Sequence, residues 1–265
     1  MESDVRAFVR GAWGSQSDNF PGPHPISIER KHIPLLRSKE YVVCEKTDGT
    51  RYLLVCIRSG GYKYSVLVNR KMDMKVVTVA MPCDTLLDGE LIGDTFMIFD
   101  AVVLAGKLVR DLNYLDRLRE AEAVTKGPKM GLKLQMKTMW PVSAAAEIWS
   151  KNPESDGLIF TPVHEPVRME THETMFKWKP MDRITVDFKL HEGYLCIWDR
   201  KEGLVKVQKW QAAEGTILEC AYQGGSWVPV KVRTDKDLPN NRRTYMRTMV
   251  NIREDIQVTD FTKNM

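Results

Sequence analysis

An apolar run, Tyr41-Val-Val-Cys44, leads to Lys46, and the turn Thr47-Asp48-Gly49-Thr50-Arg51 follows at once. A lysine at a strand end is held rigidly, and a glycine beside it lets a ligand approach the backbone closely. Five more segments carry charged or aromatic groups at suggestive spacing. Leu87-Asp88-Gly89-Glu90-Leu91 sets a carboxylate at a strand start, and Phe96-Met-Ile-Phe-Asp100 alternates so that Phe99 and Asp100 should point to opposite faces. Ser155-Asp156-Gly157-Leu-Ile-Phe160 is a second acidic turn entering a strand. Phe176-Lys177-Trp178-Lys179 puts two lysines two apart, hence on one strand face. Arg233-Thr-Asp235-Lys236, followed by Leu238-Pro-Asn240, is a dense charged turn. Each has an ordinary explanation, since Asp-Gly is a common hairpin turn and Lys-x-Lys a common solvated face. Their joint occurrence in this order is what calls for another.

The elements that must position these groups are mostly strands. Tyr41–Cys44 and Tyr52–Ile57 flank the polar turn after Lys46, and Arg58-Ser-Gly-Gly61 reads as a hairpin into Tyr62–Val68. Thr85–Leu91 and Phe96–Leu104 form a further pair. Helical spacing appears at Leu112–Val124, stopping at Lys126-Gly-Pro128, and at Ser143–Ser150. The first 25 residues end in the proline-dense Phe20-Pro-Gly-Pro-His-Pro25, which predicts extended chain. After Pro180 come Ile184–Leu190, Tyr194–Trp198, Leu204–Val207, Thr216–Tyr222 and Val228–Val232, short strands between Gly-containing turns that predict a small barrel. A domain boundary is expected near Met181–Arg183, with a short helix after Asn240.

Length and composition bound the rest. At ~150 residues per domain, 265 residues make roughly 1.8 domains. A chain 43% hydrophobic and 28% charged can bury a core and is not disordered. With 39 Lys and Arg against 35 Asp and Glu the net charge is +4, so any phosphate-binding stripe must be local. Five cysteines without a CxxC pair argue against a disulfide framework or zinc ribbon and for a reducing compartment. The apolar stretch Phe96–Gly106 is interrupted by Asp100 and falls short of the ~20 residues of a spanning helix. Met1-Glu-Ser-Asp lacks the apolar core of a signal peptide, so the expectation is a soluble intracellular protein without a membrane partner.

From about Pro21 to Asn240 the segments together resemble the covalent nucleotidyltransferases, the superfamily of DNA ligases, RNA ligases and mRNA capping guanylyltransferases. Lys46-Thr-Asp-Gly-Thr-Arg51 is similar to the superfamily's nucleophile motif, and the later segments match its other motifs in order. Three details resemble the capping branch: Phe20-Pro-Gly-Pro-His-Pro-Ile-Ser27 upstream, Lys177-Trp-Lys179 running into Thr185-Val-Asp-Phe188, and Trp227 with Arg233-Thr-Asp-Lys236 and Pro239-Asn240. The resemblance implies an α+β fold. A nucleotidyltransferase domain of ATP-grasp-like antiparallel sheets with helices would cover residues 1–183. An OB-fold barrel with a C-terminal helix would cover 184–265.

The resemblance also implies the chemistry. Lys46 would take GMP from GTP, releasing pyrophosphate, and pass it to a 5′-diphosphate RNA end. A lysine is nucleophilic only as the neutral amine, so its ordinary pKa of ~10.4 must be countered by nearby cations or a metal. Lys177 and Lys179 are assigned that role at the α-phosphate. Thr47 falls within the nucleotide-binding set, Arg51 and Glu90 match the ribose contacts, and Arg70 the arginine near the sugar or RNA end. Phe99 matches the purine-stacking aromatic and Lys137 the guanine-reading lysine, although Thr138-Met139-Trp140 stands where the family has proline and aromatics. Asp156, helped by Glu90, is the candidate ligand for Mg²⁺ or Mn²⁺. Arg233, Asp235 and Lys236 are assigned to the β- and γ-phosphates, brought there by closure about a joint near Pro180–Arg183. RNA triphosphatase and cap methyltransferase subunits are implied partners. The implied location is the nucleus for a cellular enzyme and the cytoplasm for a viral one. An ATP-dependent polynucleotide ligase and a non-catalytic nucleotide- or RNA-binding module are the competing readings.

The five histidines show no metal-ligand spacing. Arg242, Arg243 and Arg247 suit either an RNA backbone or a solvated helix face, and Cys44 and Cys56 are expected as packed thiols.

Overall fold

The computed structural model describes residues 1–127 and 130–263. In chain order the first elements are α1 (Glu2–Trp13), β1 (His24–Ser27), α2 (Ile33–Ser38), β2 (Tyr41–Lys46), β3 (Thr50–Ser59), β4 (Tyr62–Asn69) and β5 (Met74–Val77). Then come β6 (Thr85–Ile92), β7 (Thr95–Leu104), β8 (Lys107–Leu108), α3 (Tyr114–Thr125), β9 (Lys133–Met136), β10 (Trp140–Pro141), α4 (Ala145–Lys151), β11 (Gly157–Pro162) and β12 (Thr171–Trp178). The remainder is β13 (Thr185–His191), β14 (Tyr194–Asp199), β15 (Gly203–Lys209), β16 (Ile217–Gln223), β17 (Ser226–Val232) and α5 (Arg242–Glu254). This is a mixed α+β architecture dominated by antiparallel pairing. None of the described helices is long and apolar enough to cross a membrane.

Two compact units emerge. The first comprises Met1–Ile26 and Leu36–Lys177; the second comprises Ser27–Leu35 and Trp178–Met265. Ser27–Leu35, which ends in the first half of α2, thus joins the second unit although both of its flanks belong to the first.

The first unit holds two sheets, ordered β1-β12-β11-β2-β10 and β5-β4-β3-β6-β7-β8, with β9 alongside β7 in parallel. The Ser59/Tyr62 hairpin turns through Gly60 and Gly61, both at positive φ, as the twist of a two-residue hairpin demands. Strands β2 and β3, by contrast, do not pair, although only Thr47–Gly49 separates them. They belong to different sheets, so the turn after Lys46 is a crossing between sheets.

Alternation along β3 sorts its apolar residues to two cores. Leu53, Val55 and Ile57 pack with Val5, Val9 and Trp13 of α1, whereas Leu54 and Cys56 pack with Leu87, Phe96 and Ala121 of α3. Helix α1 was not expected from the sequence. Its buried residues Val5, Val9, Ala12 and Trp13 recur at helical spacing, but β-branched residues and Gly11 lower its intrinsic propensity. Packing on the sheet supplies what propensity lacks. Helix α3 begins at the Asn113 cap, whose side chain accepts from the Asp116 amide, and ends at Thr125; Pro128, expected to stop it, lies outside the described residues.

The second unit is a five-stranded antiparallel sheet, β15-β14-β13-β16-β17, the linear order of an OB-like fold. The expected barrel is not closed by a backbone ladder between β15 and β17 among the described residues. A side chain spans that seam: Gln208 donates through Nε2 to the Trp227 carbonyl and accepts from the Trp227 amide, both at 2.7 Å. A carboxamide has the same donor and acceptor as a peptide group and so stands in for one rung. Phe188, Leu195, Leu218 and Trp227 fill the core beneath, with Ile252 of α5.

Candidate active site

Because β2 and β3 diverge into two sheets, the crossing leaves a cleft with Lys46 at its mouth. Cys44, Ile159, Thr161 and Met175 form one wall from the first sheet; Arg51, Glu90, Phe99 and Asp100 come from the second. Thr47, Arg70, Lys137 and Tyr114 also line the pocket. The crossing is tight at Gly49. A Cβ there would lie 2.7 Å from both Glu90 Cγ and the Leu91 carbonyl oxygen, so no other residue fits without moving backbone.

Lys46 Nζ donates to Asp156 Oδ2, and the Asp156 amide donates to the Lys46 carbonyl at 2.9 Å. The second contact extends the β2–β11 pairing, in which Gly157 faces Lys46, and it fixes Asp156 relative to the lysine. Glu90 accepts from the Thr47 hydroxyl and, at 3.1 Å, from the Gly49 amide. Lys137, almost fully buried, donates to Thr47 Oγ1 at 2.9 Å. Residues 46 and 156 thus form one contact pair and 47, 90 and 137 a second group, adjoining through the 46–47 peptide link.

Arg51 is the most constrained side chain of the pocket. It donates to Asp88 through Nε at 2.9 Å and Nη2 at 2.5 Å, and to the Pro23 carbonyl at 2.6 Å. Its guanidinium carbon also lies 5.2 Å from the Phe20 ring centroid and 5.3 Å from that of Phe99. Burial pushes the Asp88 carboxyl up, against the opposing pull of Arg51. A fork held on four sides has little rotamer freedom left to lose when a ligand binds.

Phe99 corrects an expectation. The β6–β7 register shifts between Asp88/Asp100 and Gly89/Ile98, so Phe99 is an extra residue in the ladder. This β-bulge breaks the alternation that would have sent Phe99 and Asp100 to opposite faces, and both line the pocket. Asp100 itself is buried against Arg117, which donates at 2.7 and 3.0 Å.

Strand β12 supplies Lys177. Phe176 and Trp178 are buried, while Met175 lines the pocket; alternation puts Lys177 on the Met175 face. Its charge is felt at His24, held neutral down to about pH 4 by burial and then by Arg51, Arg70 and Lys177. Burial is the larger cause, and the three cations add to it. Lys179, expected on the same strand face as Lys177, follows the end of β12 and belongs to the second unit, as do Arg233, Asp235 and Lys236. Burial pushes the Cys44 thiol up to about 11, so it is a packed thiol rather than a reactive one.

In the second unit a charged cluster forms around a residue the sequence reading did not single out. Asp187, nearly buried on β13, accepts from Lys236 and, at 3.1 Å, from Arg233 Nη1. Arg233 also forks onto Asp235 at 2.8 Å twice. Asp235 therefore sits well below the usual carboxylate range, and Arg233 is raised in turn. The Asp187 backbone is held by Asn240, whose side chain accepts from its amide at 2.8 Å and whose amide donates to its carbonyl at 2.7 Å. The motif Thr185-Val-Asp-Phe188 contained the signal, since an acidic residue in an otherwise apolar strand needs a cationic partner.

Comparison with known proteins gives the family. The family described as mRNA capping enzyme, catalytic domain, matches residues 1–181, and mRNA capping enzyme, C-terminal domain, matches 164–262. The mRNA-capping enzyme of Mus musculus is 28% identical over 88% of this chain and 47% of its own length. The mRNA-capping enzyme subunit alpha of Neurospora crassa is 32% identical over 72% of this chain and 58% of its own. This chain thus spans about half the length of those curated relatives. A solved Lig E DNA ligase, 14% identical, aligns with 79% of this chain and 99% of its own at a TM-score of 0.43. With its catalytic-domain match covering more than half of the residues and a C-terminal-domain match covering residues 164–262, the chain belongs to the mRNA capping enzyme family.

Proposed function

We propose that the protein is a GTP:RNA guanylyltransferase acting through a lysyl-GMP intermediate on Lys46. The observation that carries this reading is an amine lining a cleft, with a carboxylate at its nitrogen and arginines and a lysine around it. Lys46 Nζ attacks the α-phosphorus of GTP; the N–P bond forms as the P–O bond to pyrophosphate breaks. A β-phosphate oxygen of a 5′-diphosphate RNA end then attacks the same phosphorus, and the P–N bond breaks to give GpppRNA and free lysine. Phosphoryl transfer of this kind needs alignment and charge neutralisation above all. Asp156 contacts the amine and is the acceptor at hand for the proton it must lose.

Within this reading Arg51 and Glu90 hold the ribose, Phe99 stacks on the base and Lys137 donates to guanine O6. Arg70 serves the sugar or RNA end. Lys177 and Lys179 serve the α-phosphate, and Arg233, Asp235 and Lys236 serve the β- and γ-phosphates. The carboxylate oxygens of Asp156 and Glu90 have the hardness Mg²⁺ or Mn²⁺ requires. No group of three acidic, histidine or cysteine side chains that could hold such an ion gathers among the described residues. Asp156 would be its principal protein ligand, because Glu90 is engaged by Thr47 and Gly49. Such an ion supplies neutralisation of phosphate charge. The name "subunit alpha" carried by relatives supports an assembly with further subunits, for which a triphosphatase and a methyltransferase are the partners we propose. Free thiols at all five cysteines support an intracellular location.

The test is label transfer. The protein is incubated with α-labelled GTP or ATP and either metal, denatured, and examined for bound label; labelled protein is then chased with 5′-diphosphate RNA. An acid-labile GMP adduct that moves to the RNA is the expected result. Label from ATP instead would make the protein a ligase, and label from neither would leave a binding module.

A further inference from the structure

A bulge residue has lost its regular ladder partner, so its carbonyl must find a donor elsewhere or remain unsatisfied. At Phe99 that donor is the Tyr114 hydroxyl, 2.6 Å from the Phe99 oxygen. Tyr114 is 2% exposed and is itself anchored on both sides. Its amide donates to the Val163 carbonyl at 2.8 Å, just past the end of β11, and the Thr161 hydroxyl bonds to its phenol. Its ring lies 5.2 Å from the guanidinium carbon of Arg117, the same arginine that clamps Asp100, the residue after Phe99. The first turn of α3 therefore grips the bulge at two consecutive positions. Burial raises the Tyr114 phenol far above its ordinary range, so it remains a donor throughout the working pH range.

We infer that Tyr114 is a positioning residue for purine binding, holding the Phe99 bulge so that the ring faces the nucleotide. The inference rests on the reading of Phe99 as the base-stacking ring. Phe99 has the Arg51 guanidinium on one side of it, and a ring free to swing would leave that stack. The hydroxyl thus acts on affinity for the base rather than on phosphoryl transfer.

The experiment is a double-mutant cycle on the full chain, with Tyr114→Phe, Phe99→Ala and the pair, read by equilibrium binding of labelled GTP and by the rate of label transfer. Tyr114→Phe should weaken GTP binding about five- to tenfold, the loss of one buried hydrogen bond, with the transfer rate at saturating GTP unchanged. In the Phe99→Ala background the same change should make no further difference. Met139→Leu, which alters the sulfur 3.7 Å from the phenol but leaves the Phe99 carbonyl its donor, should bind GTP as wild type does. Unaltered affinity in Tyr114→Phe, an equal loss in both backgrounds, or an equal loss in Met139→Leu would overturn the inference. Wild-type protein that binds GTP but forms no adduct would refute the proposed activity, and the binding cycle would still decide the role of Tyr114. Wild-type protein that binds neither GTP nor ATP would overturn both.

Discussion

Two lysine–carboxylate pairs lie at functional motifs of this chain, and they are built differently. Lys46 and Asp156 are both part-exposed, at 26% and 19%, beside a cleft with an apolar wall. Lys236 meets Asp187, a carboxylate only 7% exposed that also holds Arg233. In the first pair both partners remain reachable by a ligand. In the second, one buried anion is neutralised by two cations of the same unit, and Asp235 and Glu219 add further acceptors for Arg233. The first arrangement leaves both charges part-exposed beside the cleft; the second buries the anion between two cations. Charge pairing alone does not distinguish them. Concavity and burial do.

Removing each carboxylate should separate the two most sharply. Asp156→Ala should lower the rate of GMP–lysine formation by about a hundredfold or more, while costing under ~1 kcal/mol in urea unfolding, since a part-exposed pair contributes little stability. Asp187→Ala should show the reverse emphasis, destabilising the second unit by about 3–5 kcal/mol because two cations lose a buried partner. Equal stability losses in the two variants would break the distinction.

A smaller effect tests the burial and charge around His24. His24 has its pKa depressed from 6.5 to about 4, so the folded state binds fewer protons than the unfolded state between those values. Its contribution to stability is present above pH 6.5 and is lost as pH falls toward 4. Between pH 7.5 and 5, wild type should lose about 1–2 kcal/mol more than His24→Gln in parallel denaturant titrations. Identical losses would show that burial and the neighbouring cations do not hold this ring neutral.

Most of the strand content was legible because alternation and Gly turns are local signals, as at Ser59–Tyr62 and Ile92–Thr95. That Lys46 and Glu90 line one cleft and Asp156 meets Lys46 follows motifs that are short and ordered in the sequence. The bulge at Phe99 was not legible, because a single extra residue leaves the sequence looking like unbroken alternation. Asp187 was hidden for a related reason: its partners come from residues 233 and 236, which only the β13–β16–β17 pairing brings near. Helix α1 escaped because its stability comes from the sheet beneath it rather than from its own residues. The Gln208 rung is likewise visible only once β15 and β17 face each other.

The account turns on where GMP becomes attached. Protein incubated with GTP and Mg²⁺ or Mn²⁺, digested under alkaline conditions that preserve a phosphoramidate and mapped by mass spectrometry, should carry one GMP on the peptide containing Lys46, and the Lys46→Ala variant none. A GMP on Lys177, Lys179 or Lys236 in place of Lys46 would contradict it.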